Sequence, residues 1–474
     1  MKKTIFWFRN DLRISDNPGL FEAAQLGYVI PVYIFEEKNF SNVNPESASN
    51  WWLHNSLQSL NNSLENKLIL YKGDAKEIIL KLILDENVSA VYWNRRYEKS
   101  QIEVDNEIIN ALKSINIEQK DFCASLLWEP SDILNNNKEP YKVFTPFYKK
   151  GCSKEYPRKT YPAPNSLRLL KIQNNMVDID SFNLAPNTNL NQRLDSFWKV
   201  GEKIAQKRLK TFLDEKLDGY KENRDYPYRD NTSLLSPHLH FGEISPYQIY
   251  NEMKNRIEDF SEDDTECFFK EICWREFSHY LLFHFPDLSH KNFQKKFDHF
   301  SWNYNESLFE AWKYGKTGYP IVDAGMRQLL QTGFMHNRVR MIVASFLVKN
   351  LLIDWRYGEK WFFNCLIDAD IANNSTNWQW VSGSGADASP YFRIFNPITQ
   401  GEKFDKDGLY TRHFVPELSN IPTKFLFKPW MAPEDILIKA NIFLGKNYPN
   451  PIVNLENSRE KAMCAYRNMT NFGK

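Results

Sequence analysis

Glu271, Trp274, Arg275 and Ser278 are spaced i, i+3, i+4 and i+7, which places four side chains on one face of a helix. An acid, an indole and a guanidinium so aligned can line a polar pocket. A solvated acid–base pair beside a core tryptophan has the same spacing. A second constellation is Thr232-Ser233-Leu234-Leu235-Ser236-Pro237. It reads as an N-cap serine and a first-turn proline behind two further hydroxyls, and free amides and hydroxyls at a helix start suit a pyrophosphate. An ordinary capped helix reads the same way. Asn337 and Met341 share a helical face, on a helix anchored by Val339, Ile342, Val343 and Phe346. Taken alone, they are a surface amide and a gap-filling thioether. Asp368 and Asp370 stand close to Asn374, which alone reads as a helix N-terminus. The chain also has 14 tryptophans, oxidisable rings that in most proteins simply pack.

Bulk properties narrow the classes. A chain of 474 residues holds two or three domains with cores of their own. Net charge is +1, so contact with a nucleic acid has to come from a local basic surface. The six cysteines form no C-x-x-C pair, which argues against structural zinc and against a disulfide framework, and no metal is expected. Motifs of serine hydrolases, P-loop enzymes and zinc proteases are absent. Without a signal peptide or an apolar run long enough to span a bilayer, the expected location is cytoplasmic, with no membrane partner.

The elements that must position these residues fall into two styles. Thr4–Phe8, Tyr28–Phe35, Leu68–Tyr71 and Ser89–Trp93 read as strands, and Trp51–Leu64 and Ala75–Asp85 as helices. Asn17-Pro18 reads as an N-cap and first helical position. The alternation predicts a doubly wound parallel sheet over residues 1–130 with helices on both faces. No G-x-G-x-x-G follows the first strand, which argues against a nicotinamide dinucleotide there. Residues 131–200 are rich in Pro, Asn, Ser and Lys and read as an interdomain linker. From 201 to 474 the periodicity is helical, predicting an all-α domain that carries the chemistry.

The motifs come together in one resemblance. Phe6-Trp7-Phe8-Arg9-Asn10-Asp11-Leu12-Arg13, Trp93-Asn94-Arg95-Arg96-Tyr97 and the segments above occur in the order found in the cryptochrome/photolyase family, which the chain resembles over nearly its whole length. The resemblance implies an FAD enzyme, a carbon–carbon lyase that repairs cyclobutane pyrimidine dimers in UV-damaged DNA by light-driven electron transfer, acting as a monomer. It assigns Tyr220, Thr232, Ser233, Leu234, Leu235, Ser236, Arg275, Arg340, Asp368, Asp370 and Asn374 to FAD. Glu271, Trp274, Asn337 and Met341 fall to the dimer, and Arg338, Trp380 and Arg393 to the DNA. It makes Trp378, Trp355 and Trp302 an electron path from flavin to surface. Ser47–Leu57 resembles the class III photolyases, implying a methenyltetrahydrofolate antenna in the sheet domain, with Glu98 and Trp51 as contacts.

Two relatives compete with this reading. A cryptochrome photoreceptor shares the fold, but plant cryptochromes carry Asp where this chain has Asn374, beside the flavin. A (6-4) photolyase typically has histidine at the Asn337 position. A flavin electron-transfer protein without DNA would not need the Glu271, Trp274, Asn337 and Met341 set. Departures from the family pattern are Phe268, Phe334, Ala369 and the run Asn374-Ser375-Thr376-Asn377-Trp378. None removes a chemical group that the mechanism needs.

Overall fold

The computed structural model describes residues 2–36, 47–152, 157–172, 177–186 and 188–471; Asn187, at the start of an asparagine-rich stretch, lies outside them. These residues form two compact units. The first comprises residues 1–219 and 232–286, and the second residues 220–231 and 287–474.

The first unit is built on a parallel sheet of β1 (Lys2–Phe8), β2 (Gly27–Phe35), β3 (Ile69–Lys72), β4 (Ala90–Asn94) and β5 (Glu118–Phe122), ordered β3-β2-β1-β4-β5. Strands buried on both faces read as continuous apolar runs, and Ile5–Phe8, Val29–Phe35 and Ala90–Trp93 do so. The polar edge strand β5, Glu-Gln-Lys-Asp-Phe, has no such run and carries no sequence signal. Asn17 caps the Pro18–Leu26 helix, its Oδ1 accepting from the Leu20 amide at 3.1 Å. Gly19 in that helix admits close approach to the sheet, since a Cβ there would lie 2.7 Å from the Phe6 ring.

Residues 131–200 are more than a linker. They contain a helical turn at Phe144–Pro146, a π-helical turn at Phe147–Cys152, the Thr188–Phe197 helix and a short strand, β6 (Arg168–Leu169), that pairs with β2. Ile172 joins the core of the sheet. A few dispersed apolar residues suffice to anchor this segment, and a composition reading averages them away.

The helical half also divides differently from the expected boundary at 201. The helices Glu202–Glu215 and Glu262–His284 belong to the sheet-bearing unit. Side chains of the second tie it to residues 125–141. Glu276 Oε2 accepts from the Leu127 amide at 2.7 Å, the Tyr280 hydroxyl donates to the Ile133 carbonyl at 2.8 Å, and His284 Nε2 meets the Pro130 carbonyl at 3.0 Å. Among the described residues of the second unit the regular elements are helices, apart from one isolated bridge between Leu444 and Tyr448. Its core includes Trp312, Val339, Ile342, Val343, Phe346, Trp355 and Trp378.

Candidate active site

In the first unit, Glu271, Trp274 and Arg275 lie on the Glu262–His284 helix, each half-buried. Trp274 stacks face to face on Phe144, with ring centroids 3.7 Å apart and planes 8° from parallel. Arg275 Nη1 donates to the Ser125 carbonyl at 2.9 Å and to Glu276 Oε1 at 3.0 Å, which fixes its direction. Ser278 leaves the expected group. It is buried, and its hydroxyl donates back to the Trp274 carbonyl at 3.0 Å, so it lines no pocket. Burial pushes Glu276 up to about 7, against the Arg275 guanidinium and the Leu127 and Trp128 amides, which pull it down.

The Thr232–Ser236 segment departs from its expected cap. The helix starts at Ser236, Leu235 is its N-cap, and no side chain caps it. Ser236 is exposed, while Thr232 and Ser233 are half-buried. Leu234 adopts φ 50°, the left-handed region that costs a branched L-residue about 1–2 kcal/mol. Strain at a non-glycine residue beside uncapped amides is a mark of a binding loop. Phe268, where some relatives have tryptophan, is buried against Phe212 with centroids 4.5 Å apart.

In the second unit, Asn337 opens the Asn337–Ser345 helix and is exposed; Met341 is half-buried one turn on. Arg338 Nη1 lies 3.9 Å from the Met341 sulfur, while Nη2 pairs with Asp225 Oδ2 at 2.6 Å. Its guanidinium also sits 4.5 Å above the Phe404 ring. Arg338 is thus engaged within the chain, whereas Arg393 is exposed. Arg340 donates to both oxygens of Asp368, at 3.2 and 3.1 Å. Asp370 is the N-cap of the Ile371–Ser382 helix, accepting from the Asn373 amide at 2.7 Å. Asn374, on that helix, donates Nδ2 to the Glu359 carbonyl at 2.9 Å, and the adjacent Ser375 hydroxyl donates to the Glu359 carboxylate at 2.6 Å. Tyr220 is buried and Trp380 half-buried in the same unit.

The three tryptophans are graded by depth. Trp355 and Trp378 are buried, whereas Trp302 is half-buried. Trp355 Nε1 donates to Asn292 Oδ1 at 2.9 Å. Trp378 packs edge-on against Phe362 at 5.0 Å and Trp312 at 6.2 Å. A glycine sets its position, because a Cβ on Gly358 would lie 2.2 Å from Trp378 Cη2.

Sequence reasoning missed Gly358, Glu359, Asn292 and Asp225. Gly358 alone had a signal, as an isolated glycine within the helical Trp355–Cys365 pattern. In the sheet-bearing unit, Trp51 is buried and edge-on to Trp52 at 6.1 Å, the geometry of packing. Glu98 pairs with Arg96 at 3.0 Å; burial raises its pKa, and that guanidinium brings it below the ordinary carboxylate value.

Two family models match the chain: DNA photolyase over residues 4–165, and the FAD binding domain of DNA photolyase over residues 268–468. A deoxyribodipyrimidine photo-lyase of Agrobacterium fabrum is 48% identical over 98% of this chain and 97% of its own. The chain belongs to the cryptochrome/photolyase family. Among solved members, a bacterial class III photolyase from Agrobacterium tumefaciens superposes with a TM-score of 0.96 at 47% identity, covering 99% of this chain and 98% of that one. An archaeal photolyase from Sulfolobus tokodaii, solved with two FAD molecules, gives 0.82 at 32% identity over 98% of this chain and 100% of its own. Cryptochrome-1 of Arabidopsis thaliana is 34% identical over 97% of this chain and 69% of its own. This member has a photolyase-type FAD-binding domain and the family's parallel-sheet N-terminal fold. No helix among its described residues is long and apolar enough to cross a membrane.

Proposed function

We propose that this chain is a light-driven DNA lyase that splits cyclobutane pyrimidine dimers. The observation that carries the reading is the Asn337–Met341 face: an exposed amide and, one turn away, a thioether steadied by Arg338. An amide hydrogen-bonds a pyrimidine carbonyl without titrating, and a thioether offers apolar contact. Imidazoles at the same place would suit a (6-4) lesion.

The donor set fits a flavin dinucleotide. Thr232, Ser233 and the uncapped start at Ser236 would hold the phosphates, and Leu234, Leu235, Tyr220 and Arg275 are assigned to the same cofactor. Asp368, held by Arg340, takes the ribose, and Asp370 the polar edge of the ring. Asn374, oriented by the Glu359 carbonyl, would stand beside the ring as an amide that does not protonate it. Held there in its reduced form, FAD would supply the light-driven electron chemistry of the repair.

This chain's residues do the rest. Glu271 and Asn337 stabilise negative charge on the pyrimidine carbonyls, and Trp274 and Met341 hold the dimer's apolar edge. Arg393 contacts the DNA backbone, which makes affinity salt-dependent. Trp380 and Arg338 border the contact, Arg338 less strongly because Asp225 already engages it. The lesion leaves the duplex, a strategy for which photolyases are a general example. Trp378, Trp355 and Trp302 carry oxidising equivalents outward. The protein acts as a monomer in the cytoplasm. Its second chromophore is methenyltetrahydrofolate, contacted by Glu98 in the sheet-bearing unit; extraction from the denatured protein distinguishes a folate from a second flavin by absorbance.

Blue light on the reduced holoenzyme with an oligonucleotide carrying one thymine dimer tests the reading. Absorbance near the thymine band should recover, and E271A/N337A should abolish the recovery. No recovery with full FAD occupancy and reduction would overturn it.

A further inference from the structure

Lys349 is buried in the core of the helical unit, in the π-helical turn Phe346–Asn350. Close by in sequence, Leu347, Val348 and Leu351 are buried apolar residues, and the adjacent Asn350 is buried and polar. Its Nζ donates to the Arg393 carbonyl at 2.9 Å and lies 5.4 Å from the centre of the Tyr391 ring. No carboxylate pairs with it among the described residues, and Arg393 adds a second positive charge nearby. Burial, and then Arg393, push its pKa down to about 7.

A buried ammonium with no counter-ion is costly, and a neutral donor would make the same hydrogen bond for less. Its location in a π-helical turn also fits a functional role, since such turns concentrate at functional sites. What it holds is specific. One turn earlier, Ser345 Oγ accepts from the Phe395 amide at 3.3 Å. Two rungs from one helical stretch thus clasp the segment 391–396 at Arg393 and Phe395. Between and beside the rungs the segment turns outward: Arg393 is exposed, and Phe392 is 62% exposed, unusual for so large an apolar ring.

We propose that Lys349 is a positioning residue for DNA binding: its ammonium fixes the Arg393 carbonyl, so that Phe392 and Arg393 are held ready for the nucleic acid. The inference rests on the reading of Arg393 as a backbone contact.

The test compares K349M, K349Q and R393Q holoenzymes for affinity toward a duplex with one thymine dimer, as a function of salt, together with thermal midpoint and single-turnover repair of bound substrate. K349M should bind about 3- to 10-fold more weakly, the cost of ordering a loop side chain anew. Its thermal midpoint should be unchanged or higher, because a buried charge is gone, and its repair of bound dimer should be unaltered. K349Q, which keeps a donor, should fall between K349M and the natural protein. R393Q should weaken binding and flatten the salt slope by about one ion. A lowered midpoint in both lysine variants would show a merely structural role and overturn the proposal. Unchanged affinity in K349M while R393Q is weakened would overturn the Lys349 role and leave Arg393 as the contact. Unchanged affinity in R393Q would overturn the Arg393 reading itself.

Discussion

The two units treat buried charge differently. In the sheet-bearing unit, some buried ions meet opposite ions, while Arg13 is held by the Asp16, Gly242 and Ala124 carbonyls. Arg9 pairs with Asp105 at 2.6 Å, and Asp16 with Arg158 at 2.6 Å. In the helical unit, buried ions are held mostly by neutral groups. Asp323 accepts from the Thr317 amide and hydroxyl at 2.7 and 2.6 Å, the Gly318 amide at 3.1 Å and the Tyr448 hydroxyl at 2.8 Å. Asp405 accepts from two backbone amides, and Lys349 donates to a carbonyl. Paired ions neutralise one another and leave little field. Burial instead pushes Asp323 and Asp405, held by neutral donors, toward their uncharged forms.

The largest test of that contrast is R9M. Removing one partner leaves Asp105 buried with only the Trp93 indole donating to it at 3.2 Å. Urea unfolding should show a loss of about 3–5 kcal/mol. A loss below about 1 kcal/mol would mean that the pair is solvated and the contrast false.

Next is G358A, which acts through shape in the helical unit. The added methyl meets Trp378 at 2.2 Å, so the ring or the helix must shift. Stability should fall by about 1–3 kcal/mol, as in overpacked cores. Photoreduction of the flavin should slow more than dimer repair by enzyme reduced beforehand. Equal slowing of both would detach Trp378 from the electron path.

A pH-dependent effect sharpens the comparison with an exception. Glu276, in the sheet-bearing unit, touches Arg275 yet is raised from 4.5 to about 7 because burial outweighs the cation. Between those values the folded chain holds a proton that the unfolded chain has lost. Stability therefore falls as pH rises through that window, by at most about 1.4 kcal/mol per unit. E276Q should flatten this part of the profile, and an unchanged slope would show Glu276 already ionised.

Much of the sheet was legible in the sequence because burial on both faces leaves unbroken apolar runs, as in Val29–Phe35. The polar strand Glu118–Phe122 and the two-residue Arg168–Leu169 escaped, since pairing with β4 and β2 defines them and residue type does not. The division of the chain escaped for a related reason: Glu276, Tyr280 and His284 tie their helix to residues 127–133 through bonds spanning about 150 positions. Within the proposed site, residue types suggested the groups assigned to ligands. The groups that aim them, Glu359 behind Asn374, Gly358 behind Trp378 and Lys349 behind Arg393, act through backbone carbonyls or through lack of a side chain, which no motif records.

The central claim, light-driven repair of the cyclobutane lesion, meets its most direct test in one competition. Reduced holoenzyme is irradiated with blue light beside two oligonucleotides, one carrying a thymine cyclobutane dimer and the other a (6-4) photoproduct, and both are followed to completion by chromatography. Restoration of the first strand alone is the predicted result. Restoration of the second, or of neither, would contradict the account.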